Sequence, residues 1–313
     1  MTNATIFSGF SLLELNDTTT MQRVTLFSLT LLCYTLILLV NGVLIVTIIL
    51  EKKLHKPMYI FLCNLCINSL FGTAGFYSKF MFDLLSKTHV ISYSGCLLQV
   101  FVIYVYAATE FSILALMAYD RYVAICRPLE YHSVMTKQRV IFLVCLSIFV
   151  PFLCQSIVVI MTSKLKLCGS HIAKLYCDNF SILKLSCSSI TANNIVGFTV
   201  IFFYFGHDLF IMCSYVELIK AALKSREGRK KFMQTCVPHL FCLFNVTVAL
   251  LFDLMYVRYG SNSVSQSVKN FMAIQFLIIP PILNPIVYGL KLTQVRNSLL
   301  HFVSKQQTIK SLG

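Results

Sequence analysis

The sequence predicts an all-α protein, a bundle of seven transmembrane helices. Apolar residues make up 57% of the 313-residue chain, and the net charge is +14. Charged residues reach only 12%, about half of the ~25% typical of soluble domains. A single water-soluble core of this length could not bury so much apolar surface, and the same composition excludes a disordered chain. The charge does not indicate nucleic-acid binding, because the basic residues lie in short gaps between long apolar runs.

Seven runs of mainly apolar residues are each long enough to cross a bilayer as a helix, which takes about 20 residues. None alternates in polarity as the strands of a membrane barrel would, so we expect helices throughout. Numbered as spans one to seven, the runs are Val24 to Leu50, Met58 to Phe82, Leu97 to Ala124, Val140 to Thr162, Ile195 to Ile219, Phe232 to Val257 and Val268 to Leu290.

The distribution of basic residues predicts the orientation. Seventeen of the 26 Lys and Arg residues fall on the side of the C-terminus, and basic loops remain in the cytosol. We therefore expect three regions: residues 1–22 form an extracellular tail, residues 23–290 form the seven-helix domain, and residues 291–313 form a short cytosolic amphipathic helix with the C-terminal tail. Asn3 and Asn16 begin glycosylation sequons in the extracellular tail, and are candidate glycan sites.

Four of the 13 cysteines are predicted on the outer, oxidising side of the membrane. Cys96 is at the mouth of span three, and Cys168, Cys177 and Cys187 lie in the large loop before span five. We expect disulfides in this compartment, although four cysteines allow three pairings between which sequence alone does not choose. A bridge from Cys96 to the loop would hold the loop across the outer opening of the bundle.

Glu110 is the clearest ionisable residue within a span, where burial of a charge is costly and indicates a specific role. It precedes Arg121 by about three helical turns, ~16 Å, which puts it near the membrane midplane. Asn41, Ser69 and Asn284 lie at comparable depths. Two interpretations are open: a water-filled polar cluster that holds a cation, or a protonated, hydrogen-bonded Glu110 that specifies helix packing.

Span three ends in the triplet Asp120-Arg121-Tyr122 at the predicted cytosolic surface. Either Arg121 extends to the interface and Asp120 neutralises it, or the two form an ion pair that opens to admit a partner protein. Tyr215 in span five and Tyr288 in span seven lie on the same side. Both are therefore candidates to exchange hydrogen bonds with Arg121 when helices shift.

Six motifs, in order and at the predicted depths, give the chain a resemblance to rhodopsin-like G-protein-coupled receptors, and specifically to odorant receptors. The stretch from Ile67 to Phe80 looks more like fish odorant receptors than mammalian ones. The six motifs are Asn41-Gly42, Pro57 to Leu65, MAYDRYVAIC from Met117 to Cys126, Ser214-Tyr215, Lys231 to Leu240, and PPILNPIVYGL from Pro280 to Leu290.

The resemblance implies a multi-pass receptor of the plasma membrane of olfactory sensory neurons. Its expected partners are a small-molecule odorant, a heterotrimeric G protein of the stimulatory olfactory type and the lipid bilayer. The odorant would bind in the outer half of the bundle and the cytosolic end of span six would move away. No enzymatic chemistry, cofactor or nucleic acid is implied.

The resemblance also assigns individual residues. It pairs Cys96 with Cys177 and Cys168 with Cys187, and it makes Asp120 and Arg121 an ionic latch. Asn284 and Pro285 would form a hinge in span seven, with Tyr288 as its tyrosine, and Glu110 would be the acidic residue typical of odorant receptors in span three. Ser69 stands where most rhodopsin-like receptors have the aspartate that anchors sodium, so Glu110 would have to hold a sodium ion alone.

We expect a mainly apolar ligand pocket between spans three, five, six and seven, with a few hydroxyl and amide groups. Ile103 occupies the place where a ligand ammonium would need a carboxylate on span three, which argues against an amine, although Asp253 near the outer end of span six leaves that alternative open. Asp208 is next to His207 in span five and could form a second buried pair with it, for which we expect a structural role. The candidate pocket residues are Gln99, Ile103, Tyr104, Ala107, Ala108, Thr199, Phe203, Leu250, Leu254 and Ile274.

Two other functions are consistent with parts of the sequence. One is a rhodopsin-like receptor outside olfaction, for a peptide or a lipid. The other is a transporter or channel, which would be expected to have repeat-related broken helices and several charges along a path through the membrane. The chain has no visible repeat, and Glu110 is its main intramembrane charge.

Overall fold

The computed structural model describes residues 9–12, 19–86, 88–172, 174–223, 240–248 and 266–291, with the single positions 232, 237 and 251. The long helices are α1 (Thr20–Leu50), α2 (Pro57–Leu85), α3 (Tyr93–Cys126), α4 (Lys137–Ser163), α5 (Thr191–Leu223), α6 (the described part of span six, 240–248) and α7 (Gln266–Lys291). Short helices occupy Tyr131–Val134 and Asn179–Lys184, and the strands are β1 (Gly9–Leu12), β2 (Val90–Ser92) and β3 (His171–Ile172).

Polar caps explain why α1, α3 and α4 begin a few residues before the apolar runs. Thr19 and Gln22 form a reciprocal capping box at the start of α1. Pro57 occupies the first position of α2, where its missing N–H costs no helical bond. The side chains of Ser92 and Thr136 accept hydrogen bonds from the first turns of α3 and α4. All six helices described at both ends match the predicted spans within a few residues.

Within the described residues, five helices, α1 to α5, are long and apolar enough to cross a membrane, and α7 contains a shorter apolar segment, Ile274–Val287. Helix α3 is the centre of the bundle, because 72% of its most apolar stretch is buried against 11% for α5. Helix α5 therefore presents large apolar side chains to its surroundings, Phe202 and Leu209 among them. Apolar faces of this extent fit a lipid environment better than water.

A small sheet closes the end of the bundle that carries the disulfides, which we call the outer end. Strand β1 lies between β2, which is antiparallel to it, and β3, which is parallel to it. Phe10 of β1 is fully buried and is in register with Ile91 of β2. Part of the predicted extracellular tail is therefore packed onto the bundle.

Glycine is required where α2 meets α3. A Cβ atom on Gly72 would overlap the side chain of Tyr106, and Tyr106 cannot easily retreat. Its ring stacks on Phe276 with centroids 6.0 Å apart, and its hydroxyl donates to the Phe276 carbonyl at 3.3 Å. We expect Gly72→Ala to destabilise the receptor by roughly 1–3 kcal/mol, as overpacked cores are, seen as a lower melting temperature and less protein at the cell surface.

Gly206→Ala in α5 is the matched control, because no heavy atom lies within 4 Å of a Cβ built there. Its stability should equal or slightly exceed that of the unmodified chain, since glycine weakens a helix interior. Equal stability of the two variants would contradict the steric argument.

Candidate functional site

A cavity of about 150 Å³ lies between α3, α4, α5, α6 and α7, beneath the large outer loop. Ile103, Ala107 and Phe111 of α3 form an apolar wall, and Phe276 of α7 adds to it. The volume is below the range of roughly 300–1,000 Å³ usual for drug-sized ligands. It is similar to an engineered cavity of about 150 Å³ that binds benzene, so the space suits a small molecule.

The predicted pocket residues of α3 fall into two groups. Ile103, Tyr104, Ala107 and Ala108 line the cavity. Gln99 has a different position: its Oε1 accepts a hydrogen bond from the Cys177 N–H at 2.9 Å. Its Nε2 donates to the Gly75 carbonyl at 3.3 Å. Gln99 thus ties the outer loop to α2 and α3 and is not among the residues that line the cavity.

The structure turns a different face of α5 to the cavity from the one selected by sequence. Thr199 is exposed and donates to the Ile195 carbonyl of its own helix, and Phe203 is 47% exposed. Both lie outside the cavity, whose α5 wall includes Val200 and Tyr204. Because α5 is apolar on nearly all sides, its sequence has no strong stripe from which the inward face can be read.

The remaining predicted pocket residues lie on α6 and α7. Leu250 and Leu254 fall outside the described residues. Ile274 packs against a buried cluster with Leu277 and does not line the cavity. Thr247 of α6 and the single described position Leu251 line the cavity from span six.

Asp208 is a cavity residue that the sequence did not identify as one. It lines the cavity and accepts a hydrogen bond from Thr247 Oγ1 at 3.5 Å. His207, its suggested partner, instead stacks on Tyr204 with ring centroids 5.3 Å apart. The signal available in the sequence was the spacing of Tyr204 and Asp208, which puts both on one helix face.

The outer loop forms the roof of the cavity. Two disulfides, Cys96–Cys177 and Cys168–Cys187, hold it, in the pairing that the resemblance implies. Asp178 caps the helix Asn179–Lys184 by accepting from the Ser181 N–H at 3.0 Å.

A backbone contact also fastens this roof to α3. The Asn179 N–H donates to the Tyr104 hydroxyl at 3.2 Å, and both residues line the cavity. The roof is therefore attached directly to the helix that forms the apolar wall.

The predicted intramembrane cluster is partly assembled. Asn284 Nδ2 donates to Glu110 Oε1 at 2.8 Å, and Asn41 Nδ2 donates to the Pro281 carbonyl at 2.8 Å. All four predicted members, including Ser69, are at most 1% exposed. Glu110 Oε2, Asn284 Oδ1, Ser69 Oγ and Asn41 Oδ1 have no hydrogen-bond partner within the described part of the chain.

At the opposite, cytosolic end of α3, Arg121 pairs with its neighbour Asp120. Asp120 is fully buried, and its second oxygen accepts from the Tyr131 hydroxyl at 2.7 Å. Burial raises the pKa of Tyr131, and the adjacent Asp120 carboxylate raises it further, so the hydroxyl remains a donor at neutral pH. Tyr131 lies outside every motif recognised in the sequence.

Other predicted residues of this end have simpler positions. Tyr215 is buried and packs in the cluster around α3, and Tyr122 is half-buried. Pro285 is buried in α7 beside Asn284. The Tyr288 side chain, the sequons at Asn3 and Asn16, and the cytosolic helix expected after residue 291 lie outside the described residues.

The helical membrane bundle has a roofed cavity at its outer end and an arginine–aspartate pair at the opposite end of α3, which is the arrangement that the resemblance to G-protein-coupled receptors implies. A family profile described as "Olfactory receptor" matches residues 30–306. Human olfactory receptor 11H6 (Homo sapiens) is 34% identical over 279 residues, which cover 87% of this chain and 83% of that receptor. Mouse olfactory receptor 5B21 (Mus musculus) is 36% identical over 309 residues, covering 97% and 96%. The chain belongs to the olfactory receptor family, whose members are seven-helix, non-enzymatic membrane receptors.

Proposed function

We propose that a small odorant binds in the cavity under the outer loop and thereby activates a heterotrimeric G protein of the stimulatory olfactory type. The observation that carries the proposal is the position of α3. One continuous helix lines the cavity with Ile103 and Tyr104 and carries the Asp120–Arg121 pair at its other end. A ligand that shifts α3 against its neighbours therefore acts on both ends of the molecule.

The size and lining of the cavity support a small, mainly apolar ligand over a peptide. A volume of about 150 Å³ holds a molecule about the size of benzene. The outer loop that covers the cavity is held in place by two disulfides, which favours a small molecule over a peptide. Among the predicted pocket residues, Ile103, Tyr104, Ala107 and Ala108 are the proposed ligand contacts.

We assign the remaining predicted residues to the transmission of the signal. Asp120 and Arg121 form the latch that opens to the G protein, with Tyr122 and Tyr215 beside it. Asn284 and Pro285 form a hinge in α7, because prolines interrupt the helical hydrogen-bond ladder and Asn284 contacts Glu110 directly. The unpartnered oxygens of Glu110, Asn284 and Ser69 are suited to internal water or a sodium ion, since hard cations prefer oxygen ligands.

Two finer assignments rest on the sequence resemblance alone. The stretch from Ile67 to Phe80 supports a receptor of fish type. The family assignment supports a location in the plasma membrane of olfactory sensory neurons.

The test is a ligand panel applied to cells that make this chain together with an olfactory-type G protein, with cyclic AMP as the measurement. We expect a concentration-dependent rise for a small, mainly apolar compound, and faster GDP release when the same compound is added to purified receptor and G protein in nanodiscs. Ion conduction or solute transport in nanodiscs, without faster GDP release for any compound, would refute the proposal.

A further inference from the structure

The charged groups around the cavity are of one sign. Asp178 and Asp208 both line it, and among its described lining residues there is no Lys, Arg or His. Asp178 already has partners: Lys174 Nζ lies 3.1 Å from its carboxylate, and the Ser181 hydroxyl donates to it at 2.6 Å. Asp208 is the carboxylate that remains to be neutralised.

Asp208 is poorly satisfied for a carboxylate within a membrane helix. Its hydrogen bond from Thr247 is 3.5 Å long, beyond the usual range for an O–H donor, and no described cation pairs with it. Ionised groups at membrane depth are costly and normally pair with an opposite charge or mark a ligand path. A positively charged ligand would supply the missing partner.

A second unpartnered group lies one helical turn away. Tyr204 precedes Asp208 by four residues, so the two share a face of α5, and both line the cavity. The Tyr204 hydroxyl is buried and has no hydrogen-bond partner in the described part of the chain. Asp208, Tyr204 and Thr247 thus bring three oxygen-bearing side chains to the lining of the cavity, and a primary ammonium has three N–H donors.

We propose that the cavity takes a small primary amine in its ammonium form, with the charged group on Asp208 and an apolar skeleton against Ile103 and Phe276. The proposal rests on the proposed function, because it names the ligand class for the same cavity. It also reverses the expectation drawn from Ile103: the carboxylate absent from α3 is supplied by α5, on the facing wall.

The experiment measures direct binding of three probes with a common ring to the full-length chain purified in nanodiscs at neutral pH. Cyclohexylamine carries the ammonium, cyclohexanol is a neutral hydrogen-bond donor, and cyclohexanecarboxylate carries the opposite charge. We expect cyclohexylamine to bind at least about tenfold more tightly than cyclohexanol, since a buried charge pair exceeds a neutral hydrogen bond. The carboxylate should not bind measurably.

The variant Asp208→Asn keeps the size of the side chain and removes its charge. Cyclohexylamine affinity should fall about 30-fold or more, as when one partner of a buried charge pair is lost, while cyclohexanol affinity changes little. Glu217→Gln is the matched control, because Glu217 is a carboxylate of the same helix that is 54% exposed and pairs with Lys220 outside the cavity. That variant should bind all three probes as the unmodified chain does.

The preference of the unmodified chain for cyclohexylamine over cyclohexanol keeps the test decisive even where Asp208→Asn fails to fold. A further variant, Tyr204→Phe, removes only the hydroxyl and should weaken amine binding several-fold. Equal affinity for cyclohexylamine and cyclohexanol, or unchanged amine affinity in Asp208→Asn, overturns the ammonium assignment. Because binding is measured without a G protein, these results are independent of signalling. A different result would refute the proposed function: the amine binds through Asp208, but neither it nor any other compound makes the receptor accelerate GDP release from the G protein.

Discussion

Replacement of Arg121 by glutamine is expected to reduce agonist-evoked cyclic AMP at least about tenfold, to the level of cells that lack the receptor, because a lost charge-assisted contact weakens coupling by that order. The Arg121 side chain is only 13% exposed and is neutralised by Asp120. In the proposed mechanism the pair opens and the guanidinium offers a rigid set of donors to the incoming G protein, which glutamine cannot replace. Cyclic AMP should be measured alongside surface expression, which we expect to remain near normal.

Arg127→Gln is the control for the loss of one positive charge at the cytosolic end of α3. Arg127 is 57% exposed and lies 3.6 Å from Glu130, a geometry worth little at a surface. Its replacement should leave the response within a factor of about two, since surface pairs contribute roughly 0–1 kcal/mol. A full response from Arg121→Gln at matched surface expression would remove Arg121 from the switch.

Removal of the bridge between α3 and the roof, by Cys96→Ser together with Cys177→Ser, is expected to abolish both surface expression and ligand response. The two residues are 81 positions apart, and the chain-entropy relation assigns a loop of that length about 4.5 kcal/mol. Both side chains are fully buried, and Gln99 binds the Cys177 N–H. Loss of the bridge would therefore also loosen the anchor of the roof.

The second bridge offers a graded comparison. Cys168 and Cys187 are 19 positions apart, for which the same relation predicts about 3 kcal/mol. The Cys168→Ser, Cys187→Ser double variant should therefore retain more folded receptor, measured as surface expression and as melting temperature of the purified chain. A larger loss from this pair than from Cys96 and Cys177 would contradict the assignment of the longer bridge as the main anchor.

Hydropathy was a sufficient guide to the helices because a membrane span has to satisfy its backbone hydrogen bonds internally. The runs starting at Val24 and Val140 became α1 and α4 with only small extensions, and the extensions end at the capping residues Thr19 and Thr136. Caps depend on local side-chain hydrogen bonds, so they shift helix ends without changing the number of helices.

The inward faces of those helices were harder to predict. In α3, Ile103 and Tyr104 were predicted on the inward face, and both line the cavity. In α5 the sequence is apolar all round and does not mark an inward face, and Thr199, which is predicted to face the pocket, is exposed. The sequence predicts only a structural role for Asp208, because the cavity around it is built by residues of α3, α6 and α7 that are distant in sequence.

The sequence alone determined the number of spans, the cytosolic side of the basic residues and the oxidising side of the four outer cysteines. These features follow from the free energy of transferring each segment into the membrane, which each segment has on its own. Tertiary structure alone decided that β1 lies between β2 and β3. It also decided that Tyr131 reaches Asp120, and that Asp208 meets Thr247 at the cavity wall. These features are contacts between distant segments, and their energies exist only once the helices have packed, so no local pattern in the chain can encode them separately.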